Sequence, residues 1–84
     1  MEAENIKTGR SETSVEIFRT NVMNNIAATA VIEVLARSIR SAKINFDLDD
    51  CDKILRVEFI GGYTDTFVIM DTVKNLGFEI ELLE

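Results

Sequence analysis

Side chains that could do chemistry are scarce in this chain of 84 residues. It has one cysteine, Cys51, three methionines and no histidine. Without histidine, a Ser-His or Cys-His pair for nucleophilic catalysis is excluded, and we predict that the chain is not an enzyme. Sulfur ligands bind soft metal ions, and the sulfurs that fall near predicted loops belong to Met23 and Cys51. These two residues are therefore weak candidates for metal ligands.

A run of acidic residues surrounds the cysteine in the segment Asp47-Leu48-Asp49-Asp50-Cys51-Asp52. Asp47, Asp49 and Glu58 occupy the first, third and last positions of an EF-hand count, which would suggest calcium. However, Asp52 stands where an EF-hand has glycine, and the flanking segments alternate like strands where helices are required. Aspartates are frequent in turns because their side chains hydrogen-bond the nearby backbone. The pattern therefore favours a hairpin turn over a calcium site.

The net charge of −6 narrows the classes of partner. It argues against nucleic acid, where binding depends on Lys and Arg, and it disfavours anionic membrane surfaces. The sequence has no apolar run of the ~20 residues that cross a bilayer, and its polar beginning is unlike a signal peptide. A single cysteine fits a reducing compartment. We expect a cytoplasmic protein that binds neither nucleic acid nor membrane.

The first half of the chain predicts a strand followed by a helix. Residues 15–22 are rich in β-branched residues and favour a first strand. Asn24 or Asn25 is expected to cap a helix that runs to about Ile39. Apolar residues recur along it at three- and four-residue steps, namely Ala27, Ala30, Val31, Val34, Leu35 and Ile39. Residues 1–13 lack such a period and are expected to be a mobile tail, with residues 14–84 forming one domain.

Two alternating stretches on either side of the acidic turn predict a β-hairpin. Residues 42–48 place Ile44, Phe46 and Leu48 on one face and polar residues on the other, and residues 53–60 alternate in the same way. The pair Gly61-Gly62 is expected to end the hairpin.

The last part of the chain predicts a second helix and a final strand. Thr64 or Asp65 is expected to cap a helix that runs to Leu76, and Gly77 suits the left-handed residue that closes a helix. The apolar face of this helix is expected to consist of Phe67, Met70, Val73 and Leu76. Residues 78–83 alternate as a last strand.

The resulting order, βαββαβ, predicts an α+β fold, the ferredoxin-like plait, in which a four-stranded antiparallel sheet carries both helices on one face. The second and fourth strands are expected at the edges. The open face of the sheet is expected to carry Lys43, Asn45, Arg56, Glu58, Glu79 and Glu81. Such a face is either solvated or a docking surface for a protein partner or a second copy, and we expect a monomer or a weak homodimer.

From Val15 to Glu84 the chain resembles the heavy-metal-associated domain of copper chaperones and of the amino-terminal modules of metal pumps. The best match is Val73-Lys74-Asn75-Leu76-Gly77-Phe78-Glu79, which is similar to the family's "ikkaGyea" segment, and the hairpin matches the family in length and pattern. The resemblance implies a Met-x-Cys-x-x-Cys metal loop between the first strand and the first helix. That loop falls at Met23-Asn24-Asn25-Ile26-Ala27-Ala28, where only the methionine is present.

This loop can be aligned with the family's metal motif in two registers. Keeping Met23 as the family methionine places the cysteine positions at Asn25 and Ala28, whereas a shifted register places them at Met23 and Ile26. Neither pair supplies a thiol, so the resemblance implies a degenerate metal loop with no bound metal or cofactor. We expect a small non-enzymatic domain that has lost metal binding and acts through protein contact. The alternative is a divergent copper-binding or transport protein whose atypical site, built from Met23 and Cys51, is completed between two copies.

Overall fold

The computed structural model describes residues 13–39, 41–60 and 65–83. Within them the chain forms β1 (Thr13–Thr20), α1 (Asn25–Ser38), β2 (Ala42–Asp47), β3 (Ile54–Ile60), α2 (Thr66–Asn75) and β4 (Ile80–Leu83). The predicted βαββαβ order is confirmed. Residues 1–12 of the predicted tail, and the expected breakers Gly61 and Gly62, lie outside the described residues. Strand β1 begins at Thr13, the last residue of the predicted tail.

The four described strands form one antiparallel sheet in the order β2-β3-β1-β4. Its register places Leu55 of β3 opposite both Phe46 and Phe18, and Phe18 opposite Leu82 of β4. Side chains of directly opposed residues lie on the same face of a sheet. This row of apolar residues therefore crosses all four strands on one face, and the predicted edge strands, β2 and β4, are confirmed.

Both helices pack on that apolar face. The buried core combines residues of the sheet and of both helices, namely Phe18, Val22, Ala28, Val31, Leu35, Leu55, Val57, Phe59, Ile69, Val73 and Ile80. Fully burying one such aliphatic or aromatic side chain contributes about 1.5–3 kcal/mol. The architecture is the predicted ferredoxin-like plait. Neither described helix is long and apolar enough to cross a membrane.

Helix α1 confirms the predicted cap and end but corrects part of the predicted face. Asn24 is the N-cap, and Ile39 is the C-cap. The buried residues are Ala28, Val31 and Leu35, whereas Ala30, which was expected inward, is exposed. Successive residues turn by about 100° around a helix, so Ala30 lies far from the direction shared by the buried three.

Helix α2 corrects its predicted face more strongly. Asp65 is the N-cap, as one of the two expected candidates, and its carboxylate accepts from the Phe67 and Val68 N–H groups. The buried residues are Ile69 and Val73, whereas Phe67 is 83% exposed. The predicted face used steps of three residues, and each such step drifts by about 60°. Over three steps the ends of that face lie on opposite sides of the helix.

The end of α2 explains why β4 starts later than predicted. Gly77 has a positive φ of 97°, the left-handed conformation that glycine adopts without a Cβ clash. The Gly77 N–H donates to the Lys74 carbonyl and the Phe78 N–H to the Val73 carbonyl, which is the Schellman arrangement. Phe78 is therefore committed to closing α2, and β4 begins at Ile80 instead of Phe78.

Candidate functional site at the β1–α1 loop

The loop between β1 and α1 holds the segment where the metal site was expected. Met23 is 67% exposed and stands just before the N-cap, and Ile26, in the first turn of α1, is 85% exposed. Asn25 is also exposed, whereas Ala28 is only 5% exposed and belongs to the core. The segment thus has the position between a strand and a helix that the resemblance implied.

The two registers differ in what they would present to an ion. The shifted register, Met23 with Ile26, puts both side chains on the surface at the start of the helix. The other register pairs an exposed Asn25 with the buried Ala28. A soft ion such as Cu(I) is held by thiolates, and none of these four positions carries one. The donor set of the loop therefore does not fit the family's metal.

Two asparagines of the loop have structural partners. The Asn24 side-chain oxygen accepts from the Ala27 N–H at 2.9 Å, which satisfies one of the free donors at the start of α1. The Asn21 side-chain oxygen accepts from the Glu79 N–H at 2.8 Å, and the Asn21 N–H donates to the Glu79 carbonyl at 3.4 Å. Asn21 therefore ties the loop to the segment that enters β4.

Thr20, the last residue of β1, joins the loop to the acidic turn. It is 7% exposed, and its hydroxyl donates to the Lys53 carbonyl at 2.6 Å and accepts from the Val22 N–H at 3.2 Å. Its own N–H donates to the Asp52 carbonyl at 3.1 Å. The β1–α1 loop and the β2–β3 turn are therefore held together at one end of the sheet.

The acidic turn between β2 and β3 is built by its own side chains. The Asp50 carboxylate accepts from the Asp52 N–H at 2.8 Å, and the Lys53 ammonium donates to the Leu48 carbonyl at 2.8 Å. Lys53 itself has a positive φ of 47°. Strands flank the turn on both sides, so the preference for a hairpin turn over an EF-hand is confirmed.

Cys51 is exposed in this turn. One ligand atom from each of Asp50, Cys51 and Asp52 can be chosen so that all three lie within 4.8 Å of one another. Exposed carboxylates lie close together in many turns without an ion. Here the Asp50 carboxylate already accepts a hydrogen bond from the Asp52 N–H. The geometry of the turn is accounted for by its hydrogen bonds.

One ion pair lies beside the loop on the exposed side. The Arg19 guanidinium donates to the Glu81 carboxylate across the β1–β4 pair. This hydrogen bond, together with the negative charge of Glu81, raises the pKa of Arg19 above its ordinary value. Both side chains are about half exposed, so solvent screens the pair and its effect on stability is small.

The open face of the sheet is less uniformly charged than predicted. Lys43, Asn45, Arg56 and Glu81 are exposed as expected, but Glu58 is half-buried and Glu79 lies just before β4. By register and alternation the same face also carries aliphatic residues that the prediction left out, namely Val15, Ile17, Ile54, Ile60 and Leu83. The face is therefore a mixture of charged, polar and aliphatic side chains.

The prediction from sequence missed the roles of Thr20 and Asn21. The prediction gave neither residue a role beyond its place at the end of the first strand. Their partners, Lys53 and Glu79, lie 33 and 58 residues away along the chain. The local signal, a threonine and an asparagine at the end of a strand, is typical of any loop. Only the strand order brings these partners into reach.

Comparison with solved structures supports the same fold. The N-terminal domain of PacS from Synechocystis PCC6803 matches 84% of this chain and 98% of its own, with a TM-score of 0.60 and 14% sequence identity. No protein-family model matches the sequence, and no curated protein matches it. At 14% identity the likeness establishes the fold alone, which is the βαββαβ plait.

Proposed function

We propose that this chain is a non-enzymatic domain with the frame of a heavy-metal-associated domain, that it does not hold a metal ion in its β1–α1 loop, and that it acts through contact with protein. The supporting observation is the loop itself. Its candidate ligand positions carry a thioether, an amide and two aliphatic side chains, at Met23, Asn25, Ile26 and Ala28. A thioether without a thiolate is a poor ligand for Cu(I) in a reducing cell.

The loop is also closed by structural hydrogen bonds. Asn24 caps α1, Asn21 binds the segment before β4, and Thr20 binds the β2–β3 turn. These polar side chains would have to give up a partner to reach an ion. For Thr20, which is 7% exposed, leaving a buried hydrogen-bonding group without its partner costs about 1–3 kcal/mol, which opposes such a rearrangement. A cytoplasmic setting accords with the single thiol Cys51, which has no second cysteine to pair with.

The test is a titration of the purified protein with Cu(I) and, separately, with Zn(II) under reducing conditions, read by competition with a chromogenic chelator. Cys51→Ser is titrated in parallel. We expect no stoichiometric binding tighter than micromolar by either protein. Any weak Cu(I) retention that disappears in Cys51→Ser would be assigned to the exposed thiol.

The alternative, a divergent copper carrier with a site shared between two copies, gives a different result. It predicts tight binding at one ion for two chains, with an elution volume that shifts when metal is added. Tight binding that survives Cys51→Ser would refute the proposal as well, because the loop would then be holding the ion without a thiolate.

A further inference from the structure

Strand β2 leaves one side of its backbone unpaired, because within the described residues it is an edge strand bonded only to β3. The Ile60 N–H donates to the Ser41 carbonyl at 3.2 Å, so Ser41 and Ile60 form a hydrogen-bonded pair. Every second residue after Ser41, namely Lys43, Asn45 and Asp47, therefore also directs its backbone groups towards β3. Hydrogen-bonded and non-bonded residues alternate along an antiparallel strand. The N–H and C=O groups of Ala42, Ile44 and Phe46 therefore point away from the sheet.

The side chains at this edge are incompletely covered. Ala42, Ile44 and Phe46 pack against the core but remain half-buried, whereas the opposed residues of β3, such as Val57, are fully buried. An open groove of about 540 Å³ lies between the first half of α1 and the end of β2, and its mainly polar lining also includes Ile32 and Phe46. The edge thus has both free backbone groups and apolar surface.

The sequence of β2 is complementary to itself when it is paired antiparallel about Asn45. In that register Lys43 lies opposite Asp47 of the second copy, Ile44 lies opposite Phe46, and Asn45 lies opposite Asn45. We propose that β2 pairs with β2 of a second copy of this chain in this register, which joins the two sheets into one continuous sheet. The proposal rests on the proposed function only in taking protein contact as the activity of the domain.

Backbone and side chains agree on this register. The outward groups of Ile44 and Phe46 would form the hydrogen-bonded pairs, and Lys43 with Asp47 would occupy the non-bonded pairs, where side chains approach more closely. Opposite charges in such cross-strand pairs are stabilising, and the two-fold symmetry means that the dimer contains two Lys43–Asp47 pairs.

Other registers lose this complementarity. A shift of one residue places side chains of opposite faces against each other. A shift of two residues in one direction opposes Lys43 to Asn45. In the other direction it opposes Lys43 to Asp49, which lies in the turn beyond the last residue of β2, Asp47, so neither shift keeps a charge pair within the strand. A lysine on an edge strand normally discourages pairing with arbitrary strands. Here the same lysine selects a partner strand that carries an acidic residue four positions later.

Disulfide trapping tests the register directly. The variant Asn45→Cys is made in a Cys51→Ser background. In the proposed dimer the new thiols of the two chains lie directly opposite each other at the two-fold axis, at a spacing that a disulfide can bridge. Lys43→Cys in the same background is the matched control, because its two copies would be offset by four residues, or roughly 13 Å along the strand. We expect mild oxidation to cross-link Asn45→Cys at least about tenfold faster than Lys43→Cys. Equal rates, or no cross-link, would overturn the proposal.

A charge exchange tests the same pairing without cysteines. Sedimentation equilibrium, with a metal chelator present, compares the wild type with Lys43→Glu, with Asp47→Lys and with an equal mixture of the two variants. We expect each variant alone to self-associate about tenfold more weakly, and the mixture to associate as the wild type does, because unlike charges meet in the mixed dimer. Circular dichroism verifies the folding of each variant.

Lys74→Glu is the control for net charge. Lys74 is exposed on α2, away from β2, and its substitution changes the net charge by the same amount as Lys43→Glu does. A wild type that stays monomeric at about millimolar concentration would overturn the proposal, as would equal weakening by Lys43→Glu and Lys74→Glu. Because the chelator removes free metal ions, self-association is measured independently of metal binding. A monomer that binds no metal contradicts only the pairing of β2, and a dimer that binds metal contradicts only the proposed function.

Discussion

At the scale of single residues, the loop between β1 and α1 is organised by short polar side chains. Thr20 and Asn21 reach across to Lys53 and Glu79, and Asn24 turns back onto its own helix. Each of these side chains satisfies a backbone group that strand or helix pairing leaves over. The candidate ligand positions of the loop are thus flanked by residues that hold the backbone.

Thr20 is the residue at which the importance of these contacts can be measured. Thr20→Val keeps the shape but removes the hydroxyl, so the Lys53 carbonyl and the Val22 N–H both lose their partner. We expect Thr20→Val to lower the free energy of unfolding by about 1–3 kcal/mol, measured by urea denaturation. Thr20→Ser, which keeps the hydroxyl and loses a methyl group, should cost less. A Thr20→Val protein as stable as the wild type would contradict the structural role of the hydroxyl.

At the scale of elements, each helix begins where a polar side chain caps it. Asn24 caps α1 and Asp65 caps α2, and both are followed by a first turn that lacks acidic residues. The caps therefore supply the main favourable interaction with the free N–H groups at these two helix starts. The cap of α1 also fixes the position of Met23 and Ile26, two exposed residues of the loop, relative to the sheet.

The neighbouring asparagines of α1 offer a matched test of that cap. Asn24→Ala removes the acceptor of the Ala27 N–H and should lower the free energy of unfolding by about 1 kcal/mol. Asn25→Ala is the control, because the Asn25 side chain is exposed and has no hydrogen bond within the described residues. Thermal unfolding followed by circular dichroism distinguishes the two variants. Equal losses for both would show that the capping assignment is wrong.

The apolar faces of the helices show how far periodicity leads at this scale. For α1 the predicted positions Val31 and Leu35 are buried, as expected. For α2 the prediction included Phe67 and overlooked Ile69. It placed apolar residues at steps of three, and residues at this spacing shift progressively around the helix axis instead of staying on one face. Only packing against β4 and α1 decides which side of α2 is covered.

At the scale of the whole molecule, the plait brings three loops to one end of the sheet. The bonds of Thr20 and Asn21 connect the β1–α1 loop to the β2–β3 turn and to the segment before β4. The frame formed by these contacts therefore surrounds the loop, even though the loop lacks thiols. Whether the frame still suits an ion can be tested by restoring them.

We expect Met23→Cys combined with Ile26→Cys, in a Cys51→Ser background, to bind one Cu(I) per chain. Both positions are exposed at the start of α1, where the positive end of the helix dipole favours thiolates. The measurement is a Cu(I) competition titration with a chromogenic chelator.

The matched control has the same spacing in the other register. Asn25→Cys combined with Ala28→Cys puts its second sulfur into the core, where a larger side chain is also expected to cost about 1–3 kcal/mol of stability. We expect this variant to bind Cu(I) more weakly and to unfold earlier. The opposite order of affinities would contradict the shifted register and favour the one in which Met23 occupies the methionine position of the motif.

The sequence by itself determined the order of elements, the plait, the edge strands, two candidates for each helix cap and the acidic hairpin turn. These features follow from local alternation, from residues that favour caps and turns, and from the few ways in which such elements can pack. It also determined that the loop lacks thiolates, since that depends on residue identity alone. The tertiary structure decided which helix side is buried, that Ala28 is a core residue, and that Thr20 and Asn21 bind partners distant in the chain. The reason is that burial and long-range hydrogen bonds depend on which elements meet, and no local pattern encodes that meeting.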